Sequence, residues 1–276
     1  MNLNCDFAVF IPSFGRANNV VALQMLKRYN YNGNYYIVCS TDDKQLEDYK
    51  QNYKNHVLVF RKEDYIKECD TMYYTNNPIM STPLYARNFI IDKAKELNLK
   101  YFAMIDDDIS KVNYRHVDSE GIFRATEIKD ITNIFVVLCD FLEQSPRLCG
   151  VCPAISSGFF GGKNGQYKKG FKRLIYQFYL LKVEDVRKFN GVVMENRLYS
   201  FINFDKVYLC YYHLDFVTPD LGTNEGGNDY NARPWDALFL KMNQPSGIQL
   251  IYDKKRKYKQ YNNKILPKII SDKFKK

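Results

Sequence analysis

Residues 101–109 read YFAMIDDDI, an apolar, aromatic-rich run that stops at three consecutive carboxylates, Asp106, Asp107 and Asp108. The five residues before the acids read as a buried strand. A strand that ends in charge delivers it to the carboxyl edge of a sheet, where open α/β folds bind ligands. In extended chain, Asp106 and Asp108 point to the same side. Magnesium and manganese take oxygen ligands and keep positions open for phosphates, so two carboxylates at this spacing suit a site for a metal and a diphosphate. A solvated acidic turn is the plain alternative for three aspartates in a row.

On either side of this stretch, strand-like and helix-like segments alternate. FAVFIP (7–12), YYIVCS (35–40) and HVLVF (56–60) read as strands, and residues 19–29, 42–53 and 81–97 as helices between them. The last of these has its start written out, with Ser81 or Thr82 as N-cap and Pro83 at the first helical position. Beyond the acids the pattern gives a helix at about 126–144, a strand LCGVC (148–152), a Gly-rich basic loop at 156–170, a strand at 174–182 and a helix VEDVRKF (183–189). This is an α/β chain with a mixed, mostly parallel sheet flanked by helices. No internal repeat or domain-breaking linker interrupts it before residue 250.

Composition agrees with a folded domain. Of the 276 residues, 46% are hydrophobic and 16% aromatic, which excludes disorder over most of the length. No apolar run approaches the roughly 20 residues that span a bilayer, and MNLNCDFAVF lacks the basic-then-apolar layout of a secretory signal, so the expected location is the cytoplasm. The seven cysteines sit mostly inside apolar runs, as reduced core thiols do, and Cys149 and Cys152 have no second pair at zinc-finger spacing. Residues 254–276 carry ten Lys or Arg and one Asp, which is the whole of the net charge of +9. Such a basic tail suits a phosphate backbone or an anionic membrane surface, and also a merely solvated terminus.

The succession VFIPSFGR, Asp42 and Asp43 after the second strand, ARNFIIDKA in a helix, and then YFAMIDDDI resembles the nucleotide-sugar half of a GT-A glycosyltransferase, whose DxD motif the outer acids match. VTPDLGTNEGGNDY is similar, more narrowly, to a loop of phage enzymes that glycosylate modified DNA bases. The resemblance covers about residues 6–215. It implies a GT-A (Rossmann-like) domain over 1–253, with a nucleotide-sugar half to about residue 110 and an acceptor half from 111, followed by the basic tail 254–276.

Carried over residue by residue, the resemblance places Pro12 and Arg16 beside the nucleotide base and ribose, with Asp42 or Asp43 on the uracil or ribose edge. Arg87 would approach the diphosphate or the sugar, and Asn88 would fix the loop beneath the acids. Asp106 and Asp108 would hold Mn2+ or Mg2+, with Asp107 as a support and His213, on a predicted helix, as a third ligand or a base. Where the family has an acidic pair this chain has Ile202 and Asn203. That leaves Asp205 as the first choice of catalytic base, with Glu195 and Asp215 behind it. Gly226 and Gly227, in GTNEGGND (222–229), supply a loop whose amides suit a phosphate or sugar.

The expected activity is metal-dependent transfer of a sugar, glucose first among candidates, from a UDP-sugar to a hydroxyl, with a hydroxymethylated pyrimidine in DNA as the favoured acceptor. DNA would be held by the tail and the 156–170 loop, whose aromatics offer stacking surfaces. No protein partner is implied. The rivals are a transferase of surface glycans, a non-catalytic nucleic-acid-binding protein on the same scaffold, and a nucleotidyltransferase.

Overall fold

The computed structural model describes residues 6–69, 82–155, 174–192, 194–203, 205–218, 233–245, 248–253 and 260–265. The apolar runs of the first hundred residues become four parallel strands: β1 (Phe7–Pro12), β2 (Asn34–Ser40), β3 (Val57–Phe60) and β4 (Tyr101–Ile105). β1 lies between β2 and β4, and β3 flanks β2. All five residues of β4 are buried, so the run has no polar alternation. One face is covered by α1 (Val21–Arg28) and α2 (Leu46–Tyr53), through Leu23, Met25, Leu26 and Tyr49. The other is covered by α4 (Leu84–Glu96), which buries Leu84, Ile90 and Ile91 and follows the single turn α3 (Glu63–Ile66).

The second half adds β5 (Lys111–Val117), β6 (Phe123–Glu127), α5 (Ile131–Glu143), β7 (Gly150–Ile155), β8 (Phe178–Lys182), α6 (Glu195–Ile202), β9 (Val207–Val217) and α7 (Arg233–Asn243). Among the described residues the sheet has nine strands in the order β3-β2-β1-β4-β8-β7-β9-β5-β6. β8 runs antiparallel to both β4 and β7, β7 pairs in parallel with β9, and β5 is antiparallel to β9 and β6. This is a mixed α/β sheet flanked by helices, with three of its parallel pairings among β1 to β4 and one between β7 and β9. No described helix is long and apolar enough to cross a membrane.

Four segments differ from the sequence reading. Residues 111–127 form the β5–β6 hairpin, so α5 starts only at Ile131, capped by the Asp130 carboxylate on the Asn133 amide. VEDVRKF (183–189) is a turn and irregular chain. Tertiary bonds claim it there: Val183 donates its amide to Lys100 O, and Phe189 donates its own to Asn88 Oδ1 at 2.7 Å. Residues 207–217, including His213, form strand β9, because aromatic and β-branched residues fit a pleated surface between two partner strands. Part of the basic tail joins the fold as well, since β11 (Gln260–Ile265) pairs with β10 (Ile248–Asp253) as a separate antiparallel hairpin.

Phe135 shows how α5 is seated. Its ring, fully buried, stands 5.0 Å from that of Phe7 on β1, 5.5 Å from Tyr31 and 6.1 Å from Phe178 on β8. Phe135→Ala is expected to cost about 3–5 kcal/mol in urea unfolding, the usual range for emptying an aromatic site. A loss below about 1 kcal/mol would mean that α5 does not depend on this contact.

Candidate active site

A cleft of about 330 Å3 opens at the carboxyl edge of the sheet. Its walls come from the ends of β3, β2, β1, β4 and β8, so from β3 to β4 it crosses three strand spacings, about 14 Å. The two ends differ in chemistry. Pro12, Phe14, Val38 and Phe60 make the β2–β3 end apolar, with Asp42 and Lys62 set into it. Arg16 and the three aspartates form the β4 end, and Gln177 lines the cleft at the head of β8.

The turn after β1 is held by residues that follow β2. Gly15 adopts φ +69°, which a glycine takes without strain, and its amide donates to Asp43 Oδ2 at 2.8 Å. The Arg16 amide donates to Tyr49 Oη at 2.9 Å and the Ala17 amide to Gln45 Oε1 at 2.8 Å. Asp43, buried, is thus a brace for this turn, while Asp42 faces the cleft. Lys62 Nζ donates to Asp42 Oδ2 at 2.8 Å and lies 4.7 Å over the Phe14 ring. Burial pushes the Asp42 carboxyl up, but hydrogen bonds from Lys62 and Ser40 outweigh it and hold the group below the usual range.

The acids themselves lie in a turn rather than an extended strand, with the Ile109 amide donating to Asp106 O at 3.3 Å. Strand alternation therefore does not place Asp106 and Asp108 together; the turn does. Asp107 points into the protein, accepting from Ser13 Oγ at 2.6 Å and from Arg16 Nη1 at 2.5 Å. It draws Arg16 to the acidic end of the cleft, away from the apolar end. Asp108 keeps one buried oxygen, Oδ1, with no hydrogen-bond partner.

Asp106 is bound from behind by Arg87, whose Nη2 lies 3.0 Å from Oδ1 and 3.3 Å from Oδ2. Arg87 is 1% exposed and does not line the cleft, which corrects its expected place on the diphosphate. Its Nε stands 3.3 Å from Glu195 Oε1, near enough for ion pairing but not aligned as a hydrogen bond. The rings of Tyr179 and Phe189 lie 5.2 and 5.6 Å from the guanidinium carbon. One guanidinium between two buried acids neutralises only one of them. Burial accordingly pushes Asp106 and Glu195 each up to about 7, against the pull of Arg87. Burial likewise raises Asp107 to about 6, opposed by Arg16, and raises Asp108.

Glu195 opens α6 from a tightly built turn. Gly191 takes φ +81°, and the amides of Val192 and Met194 both donate to the buried Asp236 carboxylate on α7, at 2.9 and 2.6 Å. Thr82 Oγ1 accepts from the Leu84 amide, capping α4, and donates to Val192 O at 2.6 Å. Asn88 fixes not the acidic turn but Phe189, by donating to its carbonyl at 3.0 Å and accepting from its amide.

Other expected site residues fall elsewhere. Asp205 is exposed, in the turn just before β9, and Val207 pairs with Gly150 at the amino end of β7. Through Leu181 that level matches Phe102 on β4, four residues or about 13 Å below Asp106, so Asp205 sits at the opposite edge of the sheet and is removed as the base. Asp215 is fully buried and held by Asn113 Nδ2 at 2.7 Å and by Arg115, a structural pair. The His213 side chain, Gly226, Gly227, Ser81 and the 156–170 loop lie outside the described residues. Among the described residues no three His, Cys, Asp or Glu side chains converge on a metal position. Sequence reasoning passed over Lys62, Ser13 and Gln177. Lys62 carried a signal, since it follows the third strand as Asp42 follows the second; Gln177 carried none.

The sequence profile of TET-associated glycosyltransferases matches residues 7–219. The chain is thus an enzyme of sugar transfer, a glycosyltransferase. It belongs to the TET-associated glycosyltransferase family. No curated protein matches the sequence. Solved structures show looser likenesses. S. aureus TarS residues 1–349, in complex with UDP-GlcNAc, is similar at 12% identity and a TM-score of 0.48, over 84% of this chain and 66% of that one. Glucosyl-3-phosphoglycerate synthase from Mycobacterium tuberculosis, in complex with phosphoglyceric acid, is similar at 11% identity and a TM-score of 0.44, over 96% and 91%.

Two outcomes follow from the Arg87 cluster. Arg87→Met strands two buried carboxylates and is expected to cost about 3–5 kcal/mol by chemical unfolding, with part of the loss recovered in the Arg87→Met, Glu195→Gln double variant. Equal instability of single and double variants would show that the acids are not coupled. Because the folded state holds protons on Asp106, Asp107 and Glu195 that the unfolded chain releases near pH 4, these three groups contribute stability to the metal-free protein that is fully present below that point. That contribution is expected to be lost as pH rises to about 7. Thermal midpoints across this window should fall less steeply for Glu195→Gln than for the native chain.

Proposed function

We propose that the protein transfers a hexose, glucose or a close relative, from a UDP-sugar to the hydroxyl of a hydroxymethylated pyrimidine in DNA, in a reaction that uses Mg2+ or Mn2+ and inverts the sugar carbon. The observation that carries the donor assignment is the polarity of the cleft: an apolar end bearing a carboxylate and an ammonium, and an acidic end three strand spacings away. Uracil presents an N–H between two carbonyls. Asp42 would accept from the N–H while Lys62 donates to a carbonyl, with Pro12, Phe14 and Phe60 against the ring faces.

The diphosphate then falls toward the aspartates, where three buried or half-buried acids would repel it unless a cation intervenes. The partnerless Oδ1 of Asp108 is the kind of atom such a cation satisfies, and a site built on Asp108 and Asp106 leaves its remaining positions to phosphate oxygens and water. The ion would neutralise charge on the departing nucleoside diphosphate. Arg16, held on Asp107, would add a guanidinium fork toward the phosphates. The acceptor assignment rests on the ten basic residues of 254–276, on the narrower resemblance at 217–230, and on the TET association in the family name.

UDP release from UDP-glucose, with Mn2+ and with DNA containing hydroxymethylated cytosine, tests this reading. Release is expected to need both, to stop on chelation, and to fall at least about a hundredfold in Asp108→Asn, the scale of losing one group that stabilises transition-state charge. Release that ignores DNA would remove the acceptor assignment, and release that survives chelation would remove the metal.

A further inference from the structure

Gln177 combines three features that the donor reading leaves unused. Its backbone sits at φ +50°, a left-handed conformation that a residue with a Cβ rarely adopts and that persists only where its surroundings impose it. Its carbonyl accepts from the Asp106 amide at 2.8 Å, which ties the strained residue directly to the acidic turn. Its side chain is half-buried and lines the cleft, and among the described residues no hydrogen bond ties down its amide. Folding alone would be served as well or better by glycine here, because glycine takes this φ freely.

The order of the strands says what lies in front of it. Read across the carboxyl edge, the base pocket is at β2 and β3, the acidic turn follows β4, and Gln177 heads β8, the next strand over. A nucleotide sugar laid along this edge, base first and diphosphate at the aspartates, brings its sugar to the β8 side.

We propose that Gln177 binds the transferred sugar and sets which sugar is accepted, its amide donating to and accepting from sugar hydroxyls. The inference rests on the cleft holding a nucleotide sugar as read above. A carboxamide both donates and accepts, as a hydroxyl does, so it can pair with two hydroxyls at once and tell one epimer from another. The amide carries no charge, so it can pair with the hydroxyls of a neutral sugar but gives the carboxylate of a uronic acid no counter-charge.

The test compares Gln177→Gly and Gln177→Ala with the native protein on UDP-glucose, UDP-galactose, UDP-N-acetylglucosamine and UDP-glucuronate, with UDP affinity measured alongside by calorimetry. Gln177→Gly is expected to keep or raise the thermal midpoint and to bind UDP within about twofold of native, since the base and diphosphate contacts are untouched. Its kcat/KM for the best sugar should fall about tenfold or more, the loss for one unpaired buried polar contact, and the preference among epimers should narrow. UDP-glucuronate should be the poorest donor of the native protein. Native kcat/KM and an unchanged ranking of sugars in Gln177→Gly, with UDP bound normally, would overturn the assignment. Failure of the native protein to bind UDP at all would remove the nucleotide-sugar reading, and Gln177's role with it.

Discussion

The guanidinium of Arg87 stands between Asp106 and Glu195, under the rings of Tyr179 and Phe189, with almost no contact with water. A cation in that position is tolerable only while its carboxylates stay in place, and each carboxylate only while the cation does. The pair of acids comes from different halves of the chain, Asp106 from the end of β4 and Glu195 from the start of α6. The geometry of the acidic turn and the seating of α6 are therefore one constraint. Asn88, Thr82 and Asp236 reinforce it by fixing Phe189, Val192 and Met194, the chain that leads into Glu195.

With Arg87 behind Asp106, and Asp107 committed to Ser13 and Arg16, the three consecutive aspartates acquire three different duties. Asp107 organises the turn after β1, Asp106 is oriented by the buried ion pair, and Asp108 alone keeps a free buried oxygen. Along a uniform acidic run, backbone position decides which carboxylate is structural and which is available. The apolar end of the cleft is built by the same logic, with Asp43 bracing the turn so that its neighbour Asp42 can face Lys62 and the cavity.

Much of the N-terminal half was legible from residues 7–105. Its strands are parallel, with β1 and β4 almost wholly buried, so they read as apolar runs, and each ends in the polar groups that line the cleft. The C-terminal half was harder. β9 carries aromatics and a histidine on a segment that the resemblance cast as helix, and the β5–β6 hairpin is amphipathic and short. VEDVRKF has helix-forming residues, but Asn88, about a hundred positions earlier, claims its last amide. Asp205 looked like a helix cap near the family's acidic pair, yet the register of β9 on β7 carries it to the far edge of the sheet. Arg87 was expected on the diphosphate or the sugar because nothing local reveals that Glu195 waits for it. In each case a partner distant in sequence overrode the local signal.

The bonds that join α4 to the 189–192 segment span 101 residues at Asn88–Phe189 and 110 at Thr82–Val192. On a ribosome, β1 to β4 emerge with all the hydrophobic pattern of a small parallel sheet and with Asp106 to pair with Arg87, but the face of α4 that carries Arg87 then still lacks the cover of Tyr179, Phe189 and Glu195. That helix cannot dock at full strength until the turn before α6 has been made. The N-terminal half is for this reason expected to complete its packing only together with the residues that follow it. Its last consolidation step is a high-contact-order event that waits on translation of residues well past the sheet it completes.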